Sequence, residues 1–89
     1  PHMGWDDTII KRHDGLLKEM NNPVFYYLHS YYFDVEKIES EYIEAICDYG
    51  KTRIISSIHK KNIFAVQFHP EKSQESGLKL MNNFLEYIK

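Results

Sequence analysis

The chain has 89 residues, of which 43% are hydrophobic and 15% aromatic, and a formal net charge of −2. That length allows one domain at most, a small one with little stability to spare. The near-neutral charge gives no electrostatic reason to expect nucleic acid or an anionic membrane, and no apolar run approaches the roughly 20 residues that span a bilayer.

Residues 1–22 are rich in turn formers and charges (Gly4, Asp6, Asp7, Asp14, Gly15, Asn21, Asn22), interrupted by a short run around Thr8–Ile10 and a helical turn from Leu16 to Met20. From Pro23 the character changes. Val24–His29 and then Tyr31–Phe33 are aromatic and β-branched, which predicts strand. Tyr42 to Tyr49 alternates, with Ile43, Ala45 and Cys47 on one face, Glu44 and Asp48 on the other, and Ile46 breaking the polarity, so a half-buried strand is expected. Gly50 supplies the positive φ for a turn over Asp48–Lys51.

Arg53–His59 is another predicted strand, joined by Lys60-Lys61-Asn62 to Ile63–Phe68 as an antiparallel hairpin. The last strand is apolar on both faces, which predicts a central, covered position. Beyond it, Leu78, Met81, Leu85 and Ile88 fall at helical spacing, with Leu80 and Phe84 widening the stripe. This predicts an amphipathic helix packing that stripe onto the sheet, with Ser73 or Ser76 capping its start and Lys89 suiting its end. There are no internal repeats. Largely antiparallel strands and a terminal helix are therefore expected from the residues themselves.

The chemistry concentrates in Gln67-Phe68-His69-Pro70-Glu71-Lys72-Ser73. Pro70 pushes His69 toward an extended conformation, and residues two apart on an extended chain share a face. A carboxylate at Glu71 would then fix the His69 tautomer and stabilise its imidazolium, as an orienting acid supports a general base. For an arbitrary His-x-Glu the default is a surface His-Pro turn with a solvated Glu; here the whole heptapeptide argues for function. A partnering nucleophile is missing. Cys47 lies mid-strand without the glycines of a strained elbow and without a neighbouring base, so it reads as a small core residue. As a lone cysteine it excludes an internal disulfide framework and fits a reducing cytoplasm, and no signal peptide is evident. His2, His13 and His59 show no ligand spacing, so no metal and no cofactor is expected. His29 is read equally as a structuring residue of a substrate site or as a hydrogen-bonded strand-end histidine. Trp5 is a partner anchor or a lid on the core, and Lys60 and Lys61 are a solvated hairpin tip.

The heptapeptide resembles the carboxy-terminal signature of class I glutamine amidotransferases, in which an imidazole and a carboxylate complete a triad with a cysteine. Pro1-His2-Met3-Gly4-Trp5, Tyr26-Tyr27-Leu28-His29-Ser30-Tyr31-Tyr32, Cys47-Asp48-Tyr49-Gly50 and Gly77-Leu78-Lys79-Leu80-Met81-Asn82-Asn83-Phe84-Leu85 narrow the likeness to the glutaminase subunits of imidazole glycerol phosphate synthase. The resemblance runs in order along nearly the whole chain. It makes Pro1-His2-Met3 native sequence rather than a vector scar; Asp6 departs from it, since the family commonly has Asn there.

The resemblance implies residues 1–89 as the C-terminal fragment of one amidotransferase domain with a three-layer, flavodoxin-like α/β fold. It implies His69 and Glu71 as catalytic, Ser30, Tyr31 and His29 as contacts of the glutamine substrate, and Trp5, Tyr26 and Lys72 as facing a synthase subunit built as a (β/α)₈ barrel. The nucleophilic cysteine is expected on an N-terminal half preceding these segments, so the 89 residues alone are expected to be inactive. The intact protein is expected to hydrolyse glutamine in the cytoplasm and pass ammonia on for histidine biosynthesis. A related glutaminase feeding a surface-sugar amidotransferase, and a catalytically silent structural or binding module, remain open alternatives. An isolated half is also expected to self-associate through an uncovered sheet edge or apolar face.

Overall fold

β-Branched and aromatic runs do form the strands, and their pairing is antiparallel throughout. The computed structural model describes residues 2–88. In chain order its strands are β1 (His2–Asp7), β2 (Ile9–Ile10), β3 (Val24–His29), β4 (Ile43–Tyr49), β5 (Thr52–Lys60) and β6 (Ile63–Val66), followed by helix α1 (Gln74–Tyr87). β1 pairs with β3 in one sheet, and a second sheet has the order β2-β4-β5-β6. The β4–β5 hairpin closes through Gly50 at φ +62°, a conformation glycine adopts without steric cost. The β5–β6 hairpin closes from Lys60 to Ile63 with Lys61 at φ +57°.

The main core gathers Leu16, Leu17, Met20, Phe25, Tyr27, Ala45, Cys47, Ile54, Phe68 and Leu80. A smaller cluster of Ile43, Ile46 and Ile55 lies apart from it. Register shifts between Ile43 and Ile46 explain why β4 serves both clusters. The irregularity breaks simple alternation, so Ile43 leaves the company of Ala45 and Cys47 expected of it.

Several other expectations are corrected. His2–Asp7, read as turn-forming, is a strand; pairing with β3 satisfies its backbone despite Gly4 and two acids. Tyr31–Phe33, read as strand, is an exposed loop in which Tyr31 is 89% exposed. It touches β5 only through a Phe33 carbonyl–Ile55 amide bond and an isolated bridge at Asp34, without the continuous ladder that would reward its β propensity. β6 ends at Val66 and is an outer strand of its sheet, not a central one, with Ile63 61% exposed.

The helix buries a different face from the one its apolar stripe marks. Gly77, Leu80 and Asn83 are buried, while Leu78, Met81, Leu85 and Ile88 face out. Two polar or steric requirements set this rotation. The Asn83 amide donates to the carbonyls of Leu16 and Lys18, both at 2.8 Å, capturing the 16–20 turn. Gly77 passes so close to the Pro70 carbonyl that any Cβ would collide with it. Lys89 lies outside the described residues.

Glu44, expected to be solvated, is fully buried. The Ser57 hydroxyl donates to its Oε1 at 2.6 Å, whereas Oε2 has no well-aligned partner; the Leu16 amide is near enough to offset only part of the cost. Burial, the largest cause, raises its pKa above the ordinary value of 4.5. Folding therefore favours the protonated acid. That contribution is fully present below the unfolded value and is lost as pH rises through the folded one. Glu44→Gln should accordingly gain thermal stability relative to the parent as pH increases from about 5 to 8. A stability difference that stays constant across that range in melting experiments contradicts the assignment.

Candidate active site

Phe68 sits in the main core with its ring stacked on Phe25, centroids 3.8 Å apart. This anchor delivers the next residue to the surface. His69 is extended (φ −103°, ψ 98°), as a following proline requires. The chain does not stay extended beyond it: Pro70–Lys72 is a 3₁₀ turn, because proline presets its first dihedral and the Lys72 and Ser73 amides bond back to His69 and Pro70. The two side chains meet nonetheless. His69 Nδ1 lies 2.8 Å from Glu71 Oε2, and since a carboxylate can only accept, Nδ1 carries the proton. That bond is the main reason the Glu71 pKa lies below its ordinary value. The other nitrogen, Nε2, is 3.3 Å from the Leu28 carbonyl, and the imidazole side chain is 34% exposed. A carbonyl only accepts, so this contact holds while Nε2 also carries a proton, and Nε2 is the nitrogen whose proton can be exchanged with an arriving group.

Two hydrogen bonds fasten this loop to β3 and a third closes the loop on itself. The His69 amide donates to the Tyr26 carbonyl at 2.9 Å, the Tyr26 amide donates to Ser73 Oγ at 2.9 Å, and Ser73 Oγ donates to the His69 carbonyl at 2.6 Å. Ser73 is 1% exposed and makes no helix-capping bond. The sequence marks it as a cap; its hydroxyl instead ties the histidine backbone to the strand.

His29 and Leu28 bring β3 to the same region. His29 Nδ1 donates to the Tyr31 carbonyl at 3.0 Å, while the Ser30 and Tyr31 side chains are exposed. Burial, with help from neighbouring His2 and His69, lowers the His29 pKa. Trp5 and Tyr26 form an edge-to-face pair at 5.7 Å across the β1–β3 ladder, and Lys72 is exposed on the 3₁₀ turn.

Cys47 is fully buried in the main core, and burial first, then Asp6, pushes its thiol up to about 11. It stays protonated and enclosed, the opposite of an activated nucleophile. His2, dismissed on spacing, is nevertheless gathered with Asp6 and Cys47, ligand atoms within 4.8 Å of one another. Its Nε2 is held by Asp6 Oδ2 at 2.6 Å. The signal available in the sequence was the i, i+4 spacing of His2 and Asp6, which puts both on one face of a strand. The lone Gly77 within a helical pattern was a second such signal.

The site is thus a partly exposed imidazole oriented by a carboxylate, on the loop that follows β6. The glutamine amidotransferase class-I family model matches residues 1–88, and the chain belongs to that family. Within it, the chain is similar to imidazole glycerol phosphate synthase subunits HisH. It is 46% identical to that of Acinetobacter baylyi over 98% of this chain and 42% of the relative, and 46% identical to HisH 1 of Campylobacter jejuni over 94% and 40%. Identity to the subunit of Caldanaerobacter subterraneus is 44%, over 100% and 43%. The chain thus spans about two fifths of the length of the curated relatives it matches.

Two substitutions test how the loop is held. Ser73→Ala removes both Oγ bonds and strands the Tyr26 amide, at a cost of about 1–3 kcal/mol in chemical denaturation. Gly77→Ala forces α1 away from Pro70, with a loss of about 1–3 kcal/mol. Midpoints unchanged from the parent contradict these roles.

Proposed function

We propose that this chain carries the imidazole–carboxylate part of a glutaminase that hydrolyses glutamine to glutamate and passes ammonia to a synthase partner in histidine biosynthesis. The observation that carries the reading is the His69–Glu71 bond with its ring accessible, in a chain 46% identical to HisH subunits. The nucleophile in this reading is a cysteine on a segment beyond the 89 residues, since Cys47 is enclosed and protonated. His69 Nε2 takes the thiol proton, or holds it as an imidazolium–thiolate pair. The thiolate attacks the carboxamide carbon, the imidazolium returns the proton to the departing ammonia, and water releases glutamate from the thioester. Glu71 keeps Nδ1 protonated and the ring aimed. His29, Ser30 and Tyr31 lie beside this centre and hold the substrate's α-substituents.

The synthase partner, a (β/α)₈ barrel, takes the surface around Trp5, Tyr26 and Lys72. Supporting this, Met3, Trp5, Val24 and Leu28 are all at least 40% exposed on one face of the β1–β3 sheet. The outward stripe of α1 is the surface that a cysteine-bearing segment covers, or through which separate copies associate.

The test is glutamate release from glutamine by the chain alone and after a cysteine-bearing family segment is supplied. No turnover by the chain alone, and turnover on complementation that His69→Ala abolishes, are expected. Release by the chain alone that Cys47→Ala removes would overturn the assignment.

A further inference from the structure

A second imidazole–carboxylate group lies behind the candidate site, and its hydrogen bonds impose a proton count. Asp6 Oδ2 is 2.6 Å from His2 Nε2, His2 Nδ1 is 3.0 Å from His29 Nε2, and His29 Nδ1 is 3.0 Å from the Tyr31 carbonyl. A carbonyl only accepts, so His29 Nδ1 carries a proton. A carboxylate accepts, so His2 Nε2 carries or shares one. The contact between the two rings needs a third. Two neutral imidazoles hold two protons, so the unbroken chain holds one extra, balanced by the Asp6 charge.

We propose that Asp6, His2 and His29 form a proton-loaded positioning chain that fixes the Ser30–Tyr31 turn. The surroundings are built for it. His2 is 4% exposed and sandwiched between Tyr27 of β3, at 4.5 Å, and Tyr49 of β4, at 4.1 Å. Cys47 on β4 flanks the Asp6–His2 end, Asp7 and Asp48 act on that thiol, and His69 faces His29. Burial disfavours a second charge on His29, and the Asp6 carboxylate lies 2.6 Å from His2 Nε2, so the extra proton is placed on His2. A cleft of about 200 Å³ opens against His2, His29 and Ser30, which puts the chain at the wall of the space the turn borders. Loss of the third proton leaves two nitrogen lone pairs facing each other at 3.0 Å. One ring must then turn, releasing either the Tyr31 carbonyl or Asp6. His2 and Asp6 are positioning residues that act through His29. Their bearing on glutamine rests on the function proposed above; the proton count does not.

The test is a long-range ¹H–¹⁵N correlation spectrum of the histidine-labelled chain at neutral pH. His29 is expected protonated at Nδ1 with Nε2 an acceptor, and His2 protonated at both nitrogens. Asp6→Asn keeps an accepting oxygen but removes the charge, so His2 should lose its second proton at the same pH while the far-ultraviolet spectrum is unchanged. A neutral His2 in the parent, a His29 protonated at Nε2 alone, or an Asp6→Asn chain whose His2 stays doubly protonated overturns the proposal. Failure of the glutaminase test with this signature intact tells against the function alone.

Discussion

The candidate site depends on the bond set joining the His69–Ser73 loop to Tyr26. A histidine on a surface loop has no fixed direction unless its backbone is held, and here both the amide and the carbonyl of His69 are engaged. Ser73 Oγ makes the arrangement cooperative, accepting from the strand and donating to the loop while sealed from water. Phe68 stacked on Phe25 fixes the preceding position, and Gly77 lets the helix press on Pro70 from the other side. The ring is thus aimed by packing and backbone bonds before Glu71 sets its tautomer.

The molecule places its ionisable groups in two contrasting settings. His69–Glu71 is open to solvent, where a proton can be exchanged with an incoming group. In Asp6–His2–His29 the central His2 ring is enclosed between Tyr27 and Tyr49, which shields its protons from direct exchange, while Asp6 reaches solvent. Cys47, enclosed near two aspartates of β1 and one of β4, is held as a thiol by the same low-dielectric surroundings. Burial and neighbouring charge, not residue type alone, separate the accessible pair from the enclosed groups.

Much of the fold was legible because β3, β4, β5 and the terminal helix carry strong local patterns. The His69–Glu71 encounter was anticipated on a different ground, an extended pair two residues apart, whereas the 3₁₀ turn after Pro70 is what brings the two side chains together. What escaped was decided by tertiary contact. β1 hides behind glycine and two acids because its strand character comes from pairing with β3. The helix turned its apolar stripe outward because Gly77 and Asn83 had closer obligations to Pro70 and the Leu16 and Lys18 carbonyls. Glu44 looked solvated on strand alternation, yet the irregular register of β4 carries it beside Ser57. Ser73 sat where a cap belongs and found a better partner across the chain.

The central claim is that His69, steered by Glu71, activates a thiol carried on a segment outside these 89 residues. The most direct measurement is the rate at which the cysteine of a complementing family segment is alkylated, with and without this chain. With the parent chain bound, the thiol should react faster at neutral pH than in the segment alone, and His69→Ala should remove the acceleration without preventing association. An alkylation rate indifferent to His69 in the associated pair would contradict it.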